Sequence, residues 1–255
     1  MHYLSVGALF KNEGLILKEW IEHHLFHSIE HFYLINDQST DNSVQVLQEY
    51  IDKGIVTLYN SSREYYLGRQ RDMYNEFILP NLTKKLTKWL LIIDLDEFMW
   101  SPIHIKLATL LKTCEHFGQI QVNHTLFGSN GYIEQPKTVV QSFTKRSKEQ
   151  STNSPNGNFK YFVNSSYDFK SLNVHHASFV NKEYETQHSE FVLLGPEYFI
   201  LNHYCVQSLE FWKKIKCTRG DSDNYLIRSE NDFHKFDIND VDDFELVKQN
   251  SDMDN

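Results

Sequence analysis

The sequence predicts an α/β protein built on a mostly parallel β-sheet. Apolar stretches of strand length, rich in β-branched and aromatic residues, recur through the first part of the chain and alternate with polar or helical segments. They are Tyr3–Phe10, His31–Asp37, Ile55–Tyr59 and Trp89–Asp94. Strands and helices repeated at this spacing are typical of right-handed βαβ units, in which successive strands lie parallel.

Helical patterns fill the connections between these stretches. Apolar residues recur at helical spacing at Leu17, Trp20, Ile21, Leu25 and Ile29, and again at Val44, Leu47, Tyr50 and Ile51. Asp41 or Asn42 could cap the second helix, since both offer a side-chain oxygen to its first amides. A longer helical region is predicted at 67–79, and Pro80 is expected to interrupt it.

The second half of the chain has a less regular pattern. A short helix at Ile105–Leu111, strands at Gln119–Leu126 and Glu197–Tyr204, and a helix at Ser208–Arg219 are predicted there. No internal repeat and no linker stands out, so we expect one domain with an irregular second half. The acidic segment 241–255 is expected to form a flexible tail.

Composition argues against several classes of protein. The formal net charge of −9 and the lack of a basic stripe argue against a general nucleic-acid-binding role. Three cysteines without CxxC spacing favour a reducing compartment. No stretch of about 18 apolar residues stands out, so we expect no membrane span in this chain.

The stretch KWLLIIDLDEFMWSP at 88–102 carries the strongest functional signal. It delivers Asp94, Asp96 and Glu97 to the end of an apolar strand, where unpaired buried carboxylates would be costly. Side chains alternate along a strand, so Asp94 and Asp96 are expected to point to one side and to offer oxygen ligands to a divalent cation. The alternative is a solvated acidic turn.

The ends of the neighbouring strands favour the metal site over that alternative. Lys11–Glu13, Asp37–Asp41 and Asp94–Glu97 each follow a predicted parallel strand. In α/β sheets, ligands bind beyond the carboxyl ends of the strands. Three polar segments are therefore expected to meet at one edge of the sheet, where the metal would in turn hold a phosphate-bearing ligand.

Several motifs follow one another in a recognisable order. They are KNEG at 11–14, YLINDQSTDNS at 33–43, DLDEF at 94–98, FGSNGY at 127–132, FKSLNVHHASFV at 169–180 and HYCVQSLEFWKKIKCTRG at 203–220. As a set they resemble glycosyltransferase family 92 and the related family-2-like sequences. The resemblance extends from about Ser5 to Gly220 and leaves the acidic segment outside.

This resemblance implies a GT-A fold, in which a Rossmann-like nucleotide-binding half and an irregular α+β acceptor-side half share one continuous sheet. It implies a UDP-sugar as donor, Mn²⁺ or Mg²⁺ as metal, and a glycan or glycoconjugate as acceptor. On this basis we expect a single GT-A-like catalytic domain over 1–240, with its nucleotide-binding half at 1–102 and its acceptor-side half at 103–220.

The resemblance also implies roles for individual residues. Asp37 would contact the uracil or ribose, and Glu13 would help to frame the nucleotide pocket. Asp94 and Asp96 would serve the metal–diphosphate site, with Asp96 the firmer metal ligand. His203 would be a late metal or phosphate ligand supplied by the second half.

Basic residues are candidates for binding the diphosphate. Arg69 precedes the DxD motif, and Lys213, Lys216 and Arg219 cluster near the last predicted helix. Positive charge would neutralise the leaving group, and Lys213 or Arg219 is our candidate for clamping the diphosphate. The alternative for each is an ion-paired position on a solvated helix face.

An inverting transfer also needs a general base to accept the proton of the acceptor hydroxyl. Asp221 and Glu190 are the predicted bases, and the His175/His176 pair is an alternative. The expected activity is the metal-dependent transfer of a hexose from a UDP-sugar to a glycan or glycoconjugate. The alternatives are a noncatalytic nucleotide- or carbohydrate-binding protein on the same fold and a nucleotidyltransferase.

The expected location is cytoplasmic. The sequence shows neither the signal nor the transmembrane anchor that is typical of Golgi members of the family, and this favours a bacterial or viral setting.

Overall fold

One mixed β-sheet connects the two halves of the chain. The structure is a computed structural model, and it describes residues 1–148, 159–186, 191–219, 222–223 and 227–251. The strands are β1 (His2–Phe10), β2 (His31–Asp37), β3 (Val56–Ser61), β4 (Thr87–Ile92), β5 (Glu97–Trp100), β6 (Gln119–Leu126), β7 (Lys145–Arg146), β8 (Phe159–Asn164), β9 (Phe169–Leu172), β10 (Ala177–Phe179), β11 (Phe191–Leu194), β12 (Ile200–His203) and β13 (Val241–Asp242).

Helices connect the strands and cover the sheet. They are α1 (Leu17–Phe26), α2 (Ser43–Asp52), α3 (Arg69–Met73), α4 (Leu79–Thr83), α5 (Leu107–Lys112), α6 (Glu183–Thr186), α7 (Leu209–Phe211), α8 (Glu230–Phe236) and α9 (Glu245–Asn250), with π-helical turns at Tyr74–Ile78 and Trp212–Lys216. In the described ranges, no helix combines the length and the apolar character needed to cross a bilayer.

The strand order brings several strand ends to one edge of the sheet. Within the described residues nine strands form the order β3-β2-β1-β4-β8-β6-β12-β5, and β11 pairs with the first half of β6. The first four strands of this order are parallel. β8 is antiparallel to both β4 and β6, and β12 is parallel to β6. The predicted α/β fold class is therefore confirmed, and the carboxyl ends of β1, β2, β4, β6 and β12 share an edge.

The sheet is buried on both faces, as the alternation along β4 demonstrates. Trp89, Leu91 and Ile93 belong to a hydrophobic cluster that includes side chains of α1 and α2. Leu90 and Ile92 belong to the opposite cluster, which includes side chains of the helical region 69–83. Parallel strands covered on both faces form unbroken apolar runs in the sequence, which is why these strands were predictable.

The helical region after β3 continues through Pro80, contrary to the prediction that Pro80 interrupts it. The π-helical turn Tyr74–Ile78 follows α3, and Pro80 lies in the first turn of α4. A proline is tolerated in a first turn because an amide at that position has no carbonyl partner within the helix. Gly7 of β1 allows this region to lie close to the sheet, since a Cβ there would be 2.8 Å from Ile78 Cγ2.

Residues 241–251 pack against the domain, which corrects the prediction of a flexible tail for this part of 241–255. Strand β13 pairs with β7, and Leu246 of α9 is 2% exposed. The side-chain amide of Asn250 lies 3.2 Å from His23 Nδ1 of α1. The apolar residues of α9 join the main core, and the overall acidity of the segment concealed this in the sequence. Residues 252–255 lie outside the described ranges.

Candidate functional site

A cleft of about 620 Å³ lies at the edge of the sheet where the strands end. Carboxylates from three separate segments line it, as the strand ends predicted: Glu13, Asp37, Asp94, Asp96 and Glu97. Histidine, lysine and arginine side chains from the second half complete the lining, including His203, Lys216 and Arg219. The cleft therefore brings together the two halves of the chain.

The loops after β1 and β2, residues 11–14 and 36–43, are joined by hydrogen bonds, and we call them the loop frame. Successive amides of the first loop donate to side chains of the second, from Asn12 to Ser39 (3.0 Å), from Glu13 to Ser43 (3.0 Å) and from Gly14 to Asp41 (2.9 Å). A Cβ at Gly14 would lie 2.2 Å from Asn42 Oδ1, so a larger residue there would require the Asn42 side chain to move. The KNEG and DQSTDNS motifs thus fix one wall of the cleft.

Asp37 is held by a buried arginine behind the cleft wall. Its carboxylate accepts a hydrogen bond from Arg69, whose side chain is fully buried. Arg69 also donates to the carbonyl oxygens of Arg63 (3.1 Å) and Ser222 (2.5 Å). Arg69, a predicted diphosphate-binding residue, is not among the residues that line the cleft, and its side chain orients Asp37.

Glu13 pairs with Arg219 across the cleft. Arg219 Nη2 donates to Glu13 Oε1 at 2.5 Å, and its Nη1 donates to the carbonyl oxygen of Lys11. Burial raises the pKa of Glu13 and outweighs the opposing charge of Arg219. The buried Oε2 of Glu13 has no hydrogen-bond partner among the described residues. Glu13 therefore has one carboxylate oxygen without a partner in the wall that the loop frame forms.

Asp94 and Asp96 lie in a turn between β4 and β5, not on a strand. The predicted strand alternation therefore does not apply to them, because β4 ends at Ile92. Their carboxylates and that of Glu97 nevertheless each offer an oxygen within 4.8 Å of the others. Lys160 Nζ is 2.7 Å from Asp94 Oδ2 and 3.8 Å from a Glu97 oxygen.

The second half supplies the partners of Asp96. Lys216 Nζ is 2.9 Å from Asp96 Oδ2, and His203 Nε2 is 3.5 Å from Oδ1. Burial favours a higher pKa for Asp96, but Lys216 and His203 outweigh it and hold that pKa well below its usual value. For His203, burial favours a lower pKa, but the negative charge of Asp96 outweighs burial, and the pKa of His203 is raised. At neutral pH Asp96 is therefore a carboxylate.

We call Asp94, Asp96, Glu97, His124, Lys160 and His203 the cleft cluster. Its side chains come from the β4–β5 turn and from β5, β6, β8 and β12. Glu97 Oε1 and His124 Nε2 are 2.9 Å apart, yet neither atom makes a hydrogen bond of normal geometry with a described residue. His203 Nδ1 is also buried without a hydrogen-bond partner among the described residues.

These oxygen and nitrogen atoms without hydrogen-bond partners are possible metal ligands, so they test whether a divalent metal fits the cleft cluster. Buried polar groups are nearly always hydrogen-bonded in native proteins, so unpaired ones require a ligand or another explanation. Carboxylate oxygens beside imidazole nitrogens form a mixed set that suits Mn²⁺. The residues of the cleft cluster therefore fit the metal that the sequence predicts.

Comparison with known proteins identifies the family. The sequence model of glycosyltransferase family 92 matches residues 2–243. This chain belongs to glycosyltransferase family 92. The resemblance predicted from the motifs is thereby confirmed, and the family match also includes the segment 221–243 beyond the last motif.

Individual relatives have low sequence identity to this chain. A glycosyltransferase family 92 protein of Ricinus communis is 24% identical over 143 residues, which are 54% of this chain and 25% of that protein. The galactan beta-1,4-galactosyltransferase GALS3 of Arabidopsis thaliana is 27% identical over 114 residues, 42% of this chain and 22% of that protein. The chain spans about a quarter of the length of these curated relatives.

The chain also aligns with solved structures. S. aureus TarS (residues 1–349), in complex with UDP-GlcNAc, aligns with a TM-score of 0.48 at 11% identity. The alignment covers 92% of this chain and 64% of that chain.

Some predicted site residues of this family 92 chain lie elsewhere. Lys213 does not line the cleft: its side chain is half exposed and pairs with Glu230 at 2.9 Å. Lys216, three residues later in the same π-helical turn, lines the cleft instead. The predicted bases Glu190 and Asp221 lie outside the described residues.

The histidine pair divides between cleft and solvent. His175 lines the cleft, and its Nδ1 is 3.0 Å from the carbonyl oxygen of Phe159. His176 is exposed. Burial lowers the pKa of His175, so its imidazole is neutral at neutral pH. Of the two histidines, His175 is therefore the one placed to act as a base in the cleft.

Two residues of the cleft cluster were missed from the sequence, His124 and Lys160. Lys160 is the one charged residue in the apolar strand β8 (FKYFVN), and it is 1% exposed. A charge in a buried strand requires a charged partner, and that signal could have identified it. His124 had no comparable signal, because an isolated histidine in a strand is usually a core residue.

Proposed function

We propose that this chain transfers a hexose from a UDP-sugar to a glycan or glycoconjugate acceptor, in a metal-dependent reaction that inverts the anomeric centre. The observation that carries the proposal is that the cleft cluster and the loop frame face one cleft at the carboxyl edge of the sheet. Membership of glycosyltransferase family 92 supports the class of reaction. The donor, the metal requirement and the stereochemistry are our inferences.

The loop frame is suited to the nucleoside. Asp37 is a buried acceptor oriented by Arg69, and Glu13 keeps a free oxygen toward the cleft. Such acceptors can bind the N–H of a uracil or the hydroxyls of a ribose. We therefore assign the nucleotide to the side of the cleft formed by β1 and β2.

The cleft cluster is suited to the diphosphate and its metal. Asp96 and His203 would hold the ion, with Asp94 and Glu97 beside them. When bound, a divalent cation offsets the negative charge that develops on the departing diphosphate. Lys216 and Arg219 line the same part of the cleft and add positive charge of their own. Preorganised charge of this kind is usually the largest single contribution to catalysis.

The acceptor hydroxyl must lose a proton during inversion. Asp221 and Glu190 remain our proposed bases from the sequence. His175 is the alternative supported by its position, because it lines the cleft on the acceptor side and is neutral. A cytoplasmic location also remains a proposal, supported by the free thiols of Cys114, Cys205 and Cys217.

Titration calorimetry with UDP, with and without Mn²⁺, tests the proposal. We expect UDP to bind only in the presence of Mn²⁺, and Asp96→Asn to weaken that binding by a factor on the order of 10–100. Asp52→Asn, at the exposed end of α2, removes a carboxylate away from the cleft and should leave binding unchanged.

Donor hydrolysis distinguishes an enzyme from a binding protein. A panel of UDP-sugars should be hydrolysed slowly by the wild type and by Asp52→Asn, and not by Asp96→Asn. Failure of UDP to bind under either metal condition would refute the donor assignment. Binding without hydrolysis or transfer to any glycan of an array would favour the noncatalytic alternative.

A further inference from the structure

The loop after β6, residues 127–132 (FGSNGY), is bound to the segment that follows α8. The amide and the hydroxyl of Ser129 donate to the two carboxylate oxygens of Asp237, at 2.6 and 2.9 Å. Gly128 permits this close approach, because a Cβ there would overlap the carbonyl oxygen of Ile238. The loop therefore fixes the end of α8 at the carboxyl end of β6.

The same loop also holds α7, which leads into the π-helical turn at Trp212. The amide of Leu209 donates to the carbonyl oxygen of Tyr132 at 3.1 Å. Trp212 then joins α7 to α8. Its indole N–H donates to the carbonyl oxygen of Ser229 at 2.9 Å, and its ring is 5.9 Å from that of Phe233, which is 5% exposed. The helix α8 is thus anchored at both ends, by the indole at its start and by the FGSNGY loop after its last turn.

Phe236, the last residue of α8, presents its ring to the cleft. Its side chain is 45% exposed and lines the cleft. Among the described residues, it is the only large hydrophobic side chain that is both exposed and part of the lining. Its ring centroid is 6.2 Å from that of Trp212, and the guanidinium of Arg228 lies 5.5 Å from it. An aromatic ring held in this way loses little conformational freedom when a ligand covers it.

Phe236 lies toward the end of the cleft away from the proposed nucleoside site. Neighbouring strands are about 4.8 Å apart, so β2, which ends in Asp37, and β6, which leads into the FGSNGY loop, are about 19 Å apart. The turn that bears the DxD carboxylates begins at β4, between these two strands. A donor that extends from β2 past this turn directs its sugar toward β6 and the ring of Phe236.

The chemistry of an exposed ring in this position favours a sugar as its ligand. The face of an aromatic ring carries partial negative charge, and the C–H bonds on one face of a pyranose carry partial positive charge. The two faces therefore stack, and the sugar hydroxyls stay free for polar groups. Polar side chains such as His175 and Lys216 line the same cleft. Small-molecule sites in proteins combine aromatic surface with a few placed polar groups in this way.

We propose that Phe236 is the stacking platform for the pyranose ring of the acceptor, and that the FGSNGY loop positions this platform. The proposal rests on the proposed function and specifies its acceptor subsite. The ligand of this subsite is a closed sugar ring with an apolar C–H face, as opposed to an acyclic polyol with similar hydroxyl groups. The proposal also assigns a function to the FGSNGY motif.

Saturation-transfer NMR with methyl β-D-glucopyranoside and methyl β-D-galactopyranoside tests the platform, and the acyclic polyol D-glucitol is the ligand control. In the wild type, the protons on one face of a glycoside ring should receive the strongest saturation, and D-glucitol should receive little. Phe236→Ala should weaken the glycoside signal by a factor of about 10, and Phe236→Tyr should retain it. Phe244→Ala is the matched control, because it removes a ring that is 47% exposed and is not among the cleft-lining residues. It should retain the full signal.

Calorimetry with UDP and Mn²⁺ separates this platform from the donor site. Phe236→Ala should bind UDP as the wild type does, because the ring lies on the acceptor side, and this result also shows that the variant is folded. Gly128→Ala keeps the ring but displaces the segment after α8. It should therefore weaken the glycoside signal and leave UDP binding unchanged.

Each outcome counts for or against the platform. A wild type that binds neither glycoside, or a Phe236→Ala variant that binds them normally, overturns it. Weaker UDP binding by Phe236→Ala also overturns it, because the ring would then belong to the donor site. An unchanged glycoside signal in Gly128→Ala would refute the role of the loop.

Failure of the platform and failure of the proposed function give different results. Glycoside binding that depends on Phe236, in a protein that does not bind UDP, would preserve the platform and refute the proposed function. Metal-dependent UDP binding without glycoside binding that depends on Phe236 would preserve the proposed function and refute the platform.

Discussion

The loop frame and the cleft cluster face the same cleft, but they differ in how their polar groups are satisfied. In the loop frame, three successive amides find side-chain partners, and Asp37 is bound by a fully buried arginine. In the cleft cluster, Glu97, His124 and His203 each keep a buried atom without a hydrogen-bond partner among the described residues. Both regions contain buried polar residues, among them Asp37 and Ser43 in the loop frame and Glu97 and His124 in the cleft cluster, so burial alone does not explain the difference.

This difference indicates two roles. Polar groups with hydrogen-bond partners in the protein stabilise the walls of the cleft, and polar groups without such partners are candidates for binding a ligand. A satisfied buried network rigidifies the backbone, whereas an unsatisfied buried group costs stability until something binds it. Glu13 belongs to the loop frame yet keeps one unpaired oxygen, and it is also a residue that lines the cleft. Buried atoms without a hydrogen-bond partner also occur outside the cleft, for example in Ser5, Trp89 and Gln249, so such an atom indicates a ligand-binding group only where its residue also lines the cleft.

The largest effect on stability should come from breaking the buried ion pair between Asp37 and Arg69. Arg69→Met removes the cation from Asp37, which is 3% exposed, and leaves a buried carboxylate without its partner. We expect the free energy of unfolding to fall by about 3–5 kcal/mol, as when one member of a buried ion pair is deleted. Urea unfolding at pH 7.5, followed by circular dichroism, measures this loss.

The double variant Asp37→Leu/Arg69→Met provides the control. It removes both charges together, so most of the stability should return, because a buried ion pair and an apolar pair of similar volume have comparable stability. UDP binding should not return with it, since Asp37 is proposed to contact the nucleoside. A single variant as stable as the wild type would contradict the view that this pair supports the cleft wall.

The same distinction explains which parts of the protein were predictable from the sequence. Strands β2 and β6 were predicted with the bounds that the structure has, because an apolar run marks β2 and apolar residues that alternate with polar ones mark the start of β6. The convergence of Glu13, Asp37 and Asp96 on one cleft followed from parallel strand direction alone. Local pattern and strand direction are enough to locate an edge of a sheet.

Pairings across the two halves were not predictable in this way. Asp94 was expected to bind metal, and its partner Lys160 lies 66 residues later on an antiparallel strand. Lys213 was expected in the cleft, but Lys216 faces it, because three residues change the direction of a side chain on a helical segment. These outcomes depend on register and on which side of an element faces the site, and sequence spacing does not fix either one.

A buried histidine outside the cleft should produce the next largest effect. His24 of α1 is satisfied as a neutral ring: its Nδ1 donates to the carbonyl oxygen of Trp20 at 2.8 Å, and its Nε2 accepts from the amide of Met99 at 3.3 Å. Burial lowers the pKa of His24 to about 3. Protonation would break the second of these hydrogen bonds and place an unpaired charge in the core.

The sign of the pH effect follows from this shift. The pKa of a histidine in the unfolded chain is about 6.5, so below that pH the unfolded state binds a proton that the folded state refuses. The contribution of His24 is complete above about pH 6.5 and is lost as pH falls toward 3, at about 1.4 kcal/mol per pH unit. Between pH 7.5 and 5.0 the wild type should therefore lose about 2 kcal/mol more stability than His24→Met. Equal losses in the two proteins would show that His24 does not titrate as its surroundings require.

The smallest effect should come from the unsatisfied cluster. His124→Phe keeps the ring packing against His203, whose centroid is 4.6 Å away, and removes a nitrogen that makes no normal hydrogen bond. Without metal, the free energy of unfolding should fall by less than it does for Arg69→Met, because Glu97 loses the imidazole at 2.9 Å but keeps Lys160 at 3.8 Å and the amide of Asp94 at 2.7 Å. Saturating Mn²⁺ should then separate the two proteins. A ligand at 100 times its dissociation constant stabilises the native state by about 2.7 kcal/mol, and the variant should gain much less than the wild type. A large loss without metal would mean that His124 supports the fold as Arg69 does, and the distinction between the loop frame and the cleft cluster would fail.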